Sequence, residues 1–161
     1  MYTRIVTVFW KAVLVAAGLA SLGFAAAATD APENVQVVQG MAIYLGVMPA
    51  QLVEGHPRVH PEAGMHGGIP SRGRRDHVVV ALFDDATGRR IEDAEVTVAV
   101  MGPGLGSVWT PLEPMRIADM ITYGNYFTMP TEGAYRIQVR IRRPGHAQPV
   151  EAAFTHRHVE R

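Results

Sequence analysis

The chain has 161 residues, 48% of them hydrophobic and 19% charged, with no cysteine and a formal net charge of zero. That is one domain's length, too apolar for intrinsic disorder; the neutral balance gives no electrostatic footprint for nucleic acid, and the missing cysteine removes disulfides, thiolate zinc sites and cysteine nucleophiles together. Seven histidines and eight methionines remain as the chemically suggestive part of the composition.

The first eleven residues carry Arg4 and Lys11 and are followed by an apolar run over residues 12–24 that ends in four alanines. A positive start, a short apolar core and an A-x-A site make a secretory signal peptide, with cleavage near Ala27 or Ala28. The run is shorter than the roughly 20 residues a membrane-spanning helix needs. The expected organisation is therefore a signal peptide over 1–28 and one β-sandwich domain over 29–161, placed in the periplasm. Removing 1–28 takes away both Arg4 and the only lysine, so the exported domain is mildly acidic. An exported domain could have used disulfides, and this one relies on an ordinary core.

In chain order, residues 35–48 (VQVVQGMAIYLGVM) are rich in β-branched side chains and interrupted by Gly40 and Gly46, which predicts one or two strands with a kink or bulge. Residues 76–83 (DHVVVALF) form a continuous apolar run closed by the turn chemistry of DDATG. Over 92–101, Ala94, Val96, Val98 and Val100 alternate with Asp93, Glu95 and Thr97, the period of a half-buried strand. These two runs, with Gly88 between them, read as a hairpin. A glycine-rich GPGLGS connection follows. Prolines and Gly124 are expected to keep strands within 108–129 short or at an edge.

Tyr135, Ile137, Val139 and Ile141 alternate with Arg136, Gln138, Arg140 and Arg142, and Pro144-Gly145 ends the run. Val150, Ala152 and Phe154 define one face of a last strand, and the same face continues into His156 and His158. About seven short strands without helices predict an antiparallel sandwich. The segment Glu132-Gly133-Ala134-Tyr135-Arg136-Ile137 has the pattern of a tyrosine corner, in which a phenol at the start of the penultimate strand bonds back to the corner backbone. The expected fold is an immunoglobulin-like β-sandwich, with Ile137 where antibody domains place their second cysteine.

Residues 56–70 (HPRVHPEAGMHGGIP) put His56, His60 and His66 together with Glu62 and Met65, in a stretch whose prolines and glycines make it a loop. Imidazole suits copper, zinc, nickel and iron, and thioether sulfur favours Cu(I), so this mixture in an exported protein points to a transition metal, copper first. The bland competitor is a solvated polar loop. Met115, Met120 and Met129 lie with Tyr123 and Tyr126 within fifteen residues, although methionine is more often adaptable core filler than ligand. His156 and His158, two apart in an extended strand, point the same way and form a bidentate half-site, with a frayed tail as the alternative.

His60-Pro61-Glu62-Ala63, Leu112-Glu113-Pro114-Met115, Tyr123-Gly124-Asn125, Gly133-Ala134-Tyr135 and Arg157-His158, together with the opening Ala42-Ile43-Tyr44-Leu45, follow in an order that resembles the periplasmic iron-transport accessory family. Its members are immunoglobulin-like proteins found beside ferrous/ferric permeases, and they hold copper through a glutamate, a methionine and two histidines. The resemblance covers most of the exported chain and implies Glu62, Met115 and His158 as ligands. The family's other histidine immediately precedes its Tyr-Gly pair, and Thr122 stands there. His60, His66 or His156 is left to supply that nitrogen, unless the metal role has been lost. The YtkA-like periplasmic domains share the general turn and corner pattern and imply no ligands.

The function expected on these grounds is a non-enzymatic, exported accessory that binds copper, or iron, for periplasmic transport or delivery. Its implied partners are the metal ion, an inner-membrane metal permease and a second copy of the chain. The competing expectation, motivated by the Arg136/Arg140/Arg142 face and by Thr122 in place of the family's histidine, is a structural or protein-interaction sandwich without a metal site that packs against a membrane transporter or a like subunit. Nothing in the chain supports an enzyme: G-x-S-x-G, H-E-x-x-H and a phosphate loop are all missing, and Gly102-Pro103-Gly104-Leu105-Gly106 lacks the lysine and helix that a nucleotide loop needs.

Overall fold

The interruption at Gly40 is a turn. Gln39 and Gly40 both have positive φ, 51° and 73°, and Val38 pairs with Met41 across them. Positive φ at both central positions is the hairpin turn whose twist matches the strands it joins. Residues 35–48 therefore divide into β1 (Val35–Val38) and β2 (Met41–Pro49), while Gly46 runs through β2 unbroken, opposite Val79. The structure is a computed structural model that describes residues 33–50, 75–117 and 119–159. The expected signal peptide and the 56–70 loop, with His60, Glu62 and His66, lie outside the described residues.

The remaining strands are β3 (Arg75–Asp84), β4 (Glu95–Met101), β5 (Trp109–Pro111), β6 (Glu113–Ile117), β7 (Met120–Thr128), β8 (Gly133–Arg142) and β9 (Val150–His158). All pairings are antiparallel, in one sheet of order β1-β2-β3-β7-β6 and a second of order β5-β4-β8-β9. The all-β sandwich expected from the sequence is what forms, with nine strands among the described residues because a turn cuts one expected run and a change of sheet cuts another.

The expected hairpin of 76–83 with 92–101 does not form, since β3 and β4 lie in different sheets. The turn itself is a hairpin turn: Asp84 accepts from Thr87 through backbone and hydroxyl, Asp84 N–H donates to Arg89 O at 2.8 Å, and Phe83 bridges Arg90. After Ile91 N–H donates to Leu82 O at 2.9 Å the chain leaves the first sheet. Burial decides the crossing. Val78, Val80 and Leu82 face Val96, Val98 and Val100 through one core, and two apolar faces bury each other fully only when stacked, not when side by side in one sheet.

A second correction concerns 108–129. β5 and β6 are short edge strands, but β7 is nine residues long and lies between β3 and β6. Gly124 does not break it. The chain changes sheets between β5 and β6 at Leu112, which is buried and donates its N–H to Val96 O at 2.8 Å.

Ile43, Tyr123, Ile137, Val139, Ile141 and Phe154 complete the core. The tyrosine corner is present. Tyr135, wholly buried in the penultimate strand, donates its hydroxyl to Thr131 O at 2.8 Å and accepts from Thr131 N–H at 3.3 Å. Buried hydroxyls must be satisfied in this way. Ile137, two residues beyond the corner tyrosine, is equally buried.

Candidate metal centre

Along β3 the residues Val78, Val80 and Leu82 enter the core, so Asp76 shares their side and His77 points to the opposite face of the sheet. Register carries that second face across the neighbouring strands: His77 pairs with Tyr126, Val79 with Gly124, Gly124 with Glu113 and Thr122 with Met115. The face away from the second sheet thus collects His77, Tyr126, Gly124, Thr122 and Met115.

His77 and Met115 are both 0% exposed. The His77 ring stacks on Tyr126 with centroids 4.8 Å apart and planes 30° apart. A Cβ on Gly124 would lie 2.8 Å from His77 Nε2, 3.0 Å from Met115 Sδ and 2.5 Å from Met115 Cε. Glycine is needed in the middle of β7 because a thioether and an imidazole close over it from two sides, which leaves sulfur and nitrogen less than about 6 Å apart. One soft sulfur and one imidazole nitrogen, both on fully buried side chains, form a donor set that suits copper. The residues present therefore fit a copper ion, with Met115 and His77 as the side chains that would hold it.

The position of the family's histidine is filled differently. Arg90 donates from Nη2 to Thr122 Oγ1 at 2.7 Å and from Nε to Ile121 O at 2.8 Å, its Nη1 lies 3.4 Å from Met120 Sδ, and its guanidinium sits 4.8 Å above the Phe83 ring. A held cation, not an imidazole, flanks Met115 at that point.

His158 and His156 share the inward face at the end of β9, as the alternation predicts, opposite Gly133 and Tyr135. His158 Nδ1 is 3.7 Å from Asp76 Oδ2, its ring meets Tyr135 edge-on at 6.0 Å, and the His156 and His158 ring centroids are 6.4 Å apart. His158 thus meets β3 on the Asp76 side, whereas Met115 lies on the His77 side. Among the described residues, no three His, Asp or Glu side chains gather into a metal-binding group. The methionine and tyrosine cluster disperses too: Met129 and Tyr123 are core, Met120 is 45% exposed, and Met115 and Tyr126 join His77.

His77 is the residue that sequence reasoning missed. It sits inside DHVVVALF, where an unbroken apolar run hides its alternation. The available signal was parity: with Val78, Val80 and Leu82 assigned to the core, His77 must occupy the other face.

The inner-face cluster has its own pH dependence. Burial holds the His156 imidazole below its ordinary 6.5; the Asp76 charge opposes this and His158 adds to it. The linked stability is present above pH 6.5 and is lost as pH falls through the lowered value. Burial raises the Asp76 carboxyl above 3.8, against the pull of His158 and then His156. Its linked stability runs the other way, present below pH 3.8 and lost as pH rises through the raised value. As pH falls from 6.5 through the lowered His156 value, the His156 contribution is lost, so Tm should change less favourably on acidification in the wild type than in His156→Gln; an equal slope in thermal melts of the two proteins would refute this.

No protein-family model matches the chain, and no curated protein matches it. Solved structures do. A copper-bound glutamate-to-glutamine variant of FetP from uropathogenic Escherichia coli strain F11 superposes with a TM-score of 0.58 at 15% identity, covering 78% of this chain and 93% of that one. FetP of the same strain, as isolated after recombinant expression in the periplasm of E. coli, gives 0.59 at 13% identity, covering 78% and 92%. The sandwich is a FetP-like fold. A DUF4426 family protein of Pseudomonas aeruginosa PAO1 shares it, with a TM-score of 0.58 at 17% identity over 76% of this chain and 91% of that one. The likeness in architecture extends over most of the domain.

Proposed function

We propose that this protein is an exported, non-enzymatic copper-binding accessory that works in the periplasm beside a metal transport or delivery system. The observation that carries the reading is the convergence of Met115 Sδ and His77 Nε2 over Gly124, both side chains fully buried. The signal-peptide pattern, the FetP-like fold and the copper held by a FetP variant support it. Iron is the second metal consistent with the family resemblance, and an inner-membrane permease and a second copy of the chain are the partners it implies. The family resemblance also implies Glu62 and His158 as ligands, with His60, His66 or His156 as a source of nitrogen.

The rival docking reading rested on the Arg136/Arg140/Arg142 face. Arg140 is spent within the protein: its Nε donates to Glu151 Oε1 at 2.7 Å, and its guanidinium lies 4.1 Å above the Trp109 ring.

The test is titration of the purified protein with Cu(I), Cu(II) and Fe(II), repeated on His77→Ala, Met115→Ala and the double variant. Even supporting residues around metals contribute about 10–100-fold to affinity, so each ligand loss should weaken copper binding at least about tenfold. Binding should also weaken on acidification, because imidazole ligates only when deprotonated. Wild-type binding no tighter than that of the double variant would sink the reading.

A further inference from the structure

Resting on the copper reading above, we propose that the Met115/His77 site selects Cu(I), and that Arg90 is the residue that sets it against divalent ions. The described donors are one thioether and one imidazole, a set that prefers the soft monovalent ion. Both side chains are fully buried, which keeps away the water that a divalent ion retains. Met115 stands directly opposite Thr122 in the antiparallel pair, where side chains on one face are about 5 Å apart. Arg90 Nη2 is 2.7 Å from the Thr122 hydroxyl. The guanidinium therefore lies within roughly 10 Å of the sulfur, and a guanidinium keeps its charge throughout the physiological range.

That cation cannot swing away readily. A backbone carbonyl, a hydroxyl, the Met120 sulfur and the Phe83 ring hold it from four directions. Its repulsion counts once against Cu(I) and twice against Cu(II) or Fe(II), and a buried site screens it weakly. Two carboxylates stand near and moderate the effect. Glu92 Oε1 accepts from Ile121 N–H at 3.0 Å, and the exposed Glu113 lies opposite Gly124. Glu113 shares the face of Met115 and Gly124, so its variant belongs in the test.

The experiment measures Cu(I) affinity by anaerobic competition with bicinchoninate and Cu(II) affinity by competition with glycine, in the wild type, Arg90→Gln, Arg90→Lys and Glu113→Gln. Wild type should prefer Cu(I) clearly. Arg90→Gln should bind Cu(II) about tenfold tighter with a smaller gain for Cu(I), a size in keeping with one charge at that range. Arg90→Lys should keep the wild-type preference, and Glu113→Gln should leave both affinities within about twofold, as expected of a surface change. An unchanged preference in Arg90→Gln, equal binding of both valences by the wild type, or loss of copper in Glu113→Gln overturns this proposal while the copper reading stands. Failure to bind copper of either valence overturns both.

Discussion

Gly124→Val should abolish tight copper binding and leave the sandwich folded. A Cβ at that position already falls 2.8 Å from His77 Nε2 and 3.0 Å from Met115 Sδ, and the two further methyl groups of valine would occupy the space a metal ion needs. The Met115 atoms are the end of a flexible thioether chain and can change rotamer, while the His77 ring, stacked on Tyr126, yields less. Overpacking of this kind costs about 2 kcal/mol, well short of unfolding a domain with an ordinary core. Copper affinity should drop at least about 100-fold, as when coordination geometry is lost outright. Gly46→Ala is the control, since it lies mid-strand in the same sheet and its new Cβ meets Val79 Cβ at an ordinary 3.8 Å. Copper retention in Gly124→Val, measured on protein shown to be folded by circular dichroism, would remove Met115 and His77 from the site.

Gly102→Ala should be among the most destabilising single-methyl changes in the chain. The added Cβ would land on Cδ1, Cε1 and Cγ of the Tyr135 ring. This ring cannot yield as a methionine terminus can, because Tyr135 is 0% exposed and its hydroxyl is tied to both the carbonyl and the N–H of Thr131. Relieving the clash means breaking the corner or moving the backbone, at about 3 kcal/mol and a fall in Tm of roughly 10 °C. Gly106→Ala, with nothing within 4 Å of the new methyl, should change stability by less than about 0.5 kcal/mol. Equal melting temperatures for the two variants would show that the corner is not rigid.

How much was legible follows from which interactions are local. The Tyr135 corner spans five residues, from Thr131 to Tyr135, so its pattern carries its geometry. The alternation of β8 and β9 put Ile137, Val139 and Phe154 inside, and with them His156 and His158, because a strand's period of two needs no knowledge of its neighbours. The sandwich class followed from counting such strands. Its likeness to FetP lies at the same level, in strand order and burial.

What failed was pairing and contact between distant strands. Residues 76–83 and 92–101 looked like hairpin partners because a good turn joins them, yet the turn specifies only its own residues. The mutual burial of Val80, Val98 and their neighbours sends the second strand to the other sheet. Gly124 read as an interruption because a glycine weakens an isolated strand; in the structure it is the space that Met115 and His77 share. Thr122 stands where the resembling family has a histidine, but no local pattern could show that Arg90 closes on it from 32 residues away.

By itself, then, the amino-acid sequence determined a cysteine-free β-sandwich, its tyrosine corner and a short supply of soft and imidazole donors, since each depends on composition, on period or on residues a few positions apart. The tertiary structure alone decided which donors meet. Sheet register brings His77 to Met115 and carries His158 to Asp76 on the other side of β3, and register is set by the burial of whole strands against one another, a property of the assembled sandwich that no single segment contains.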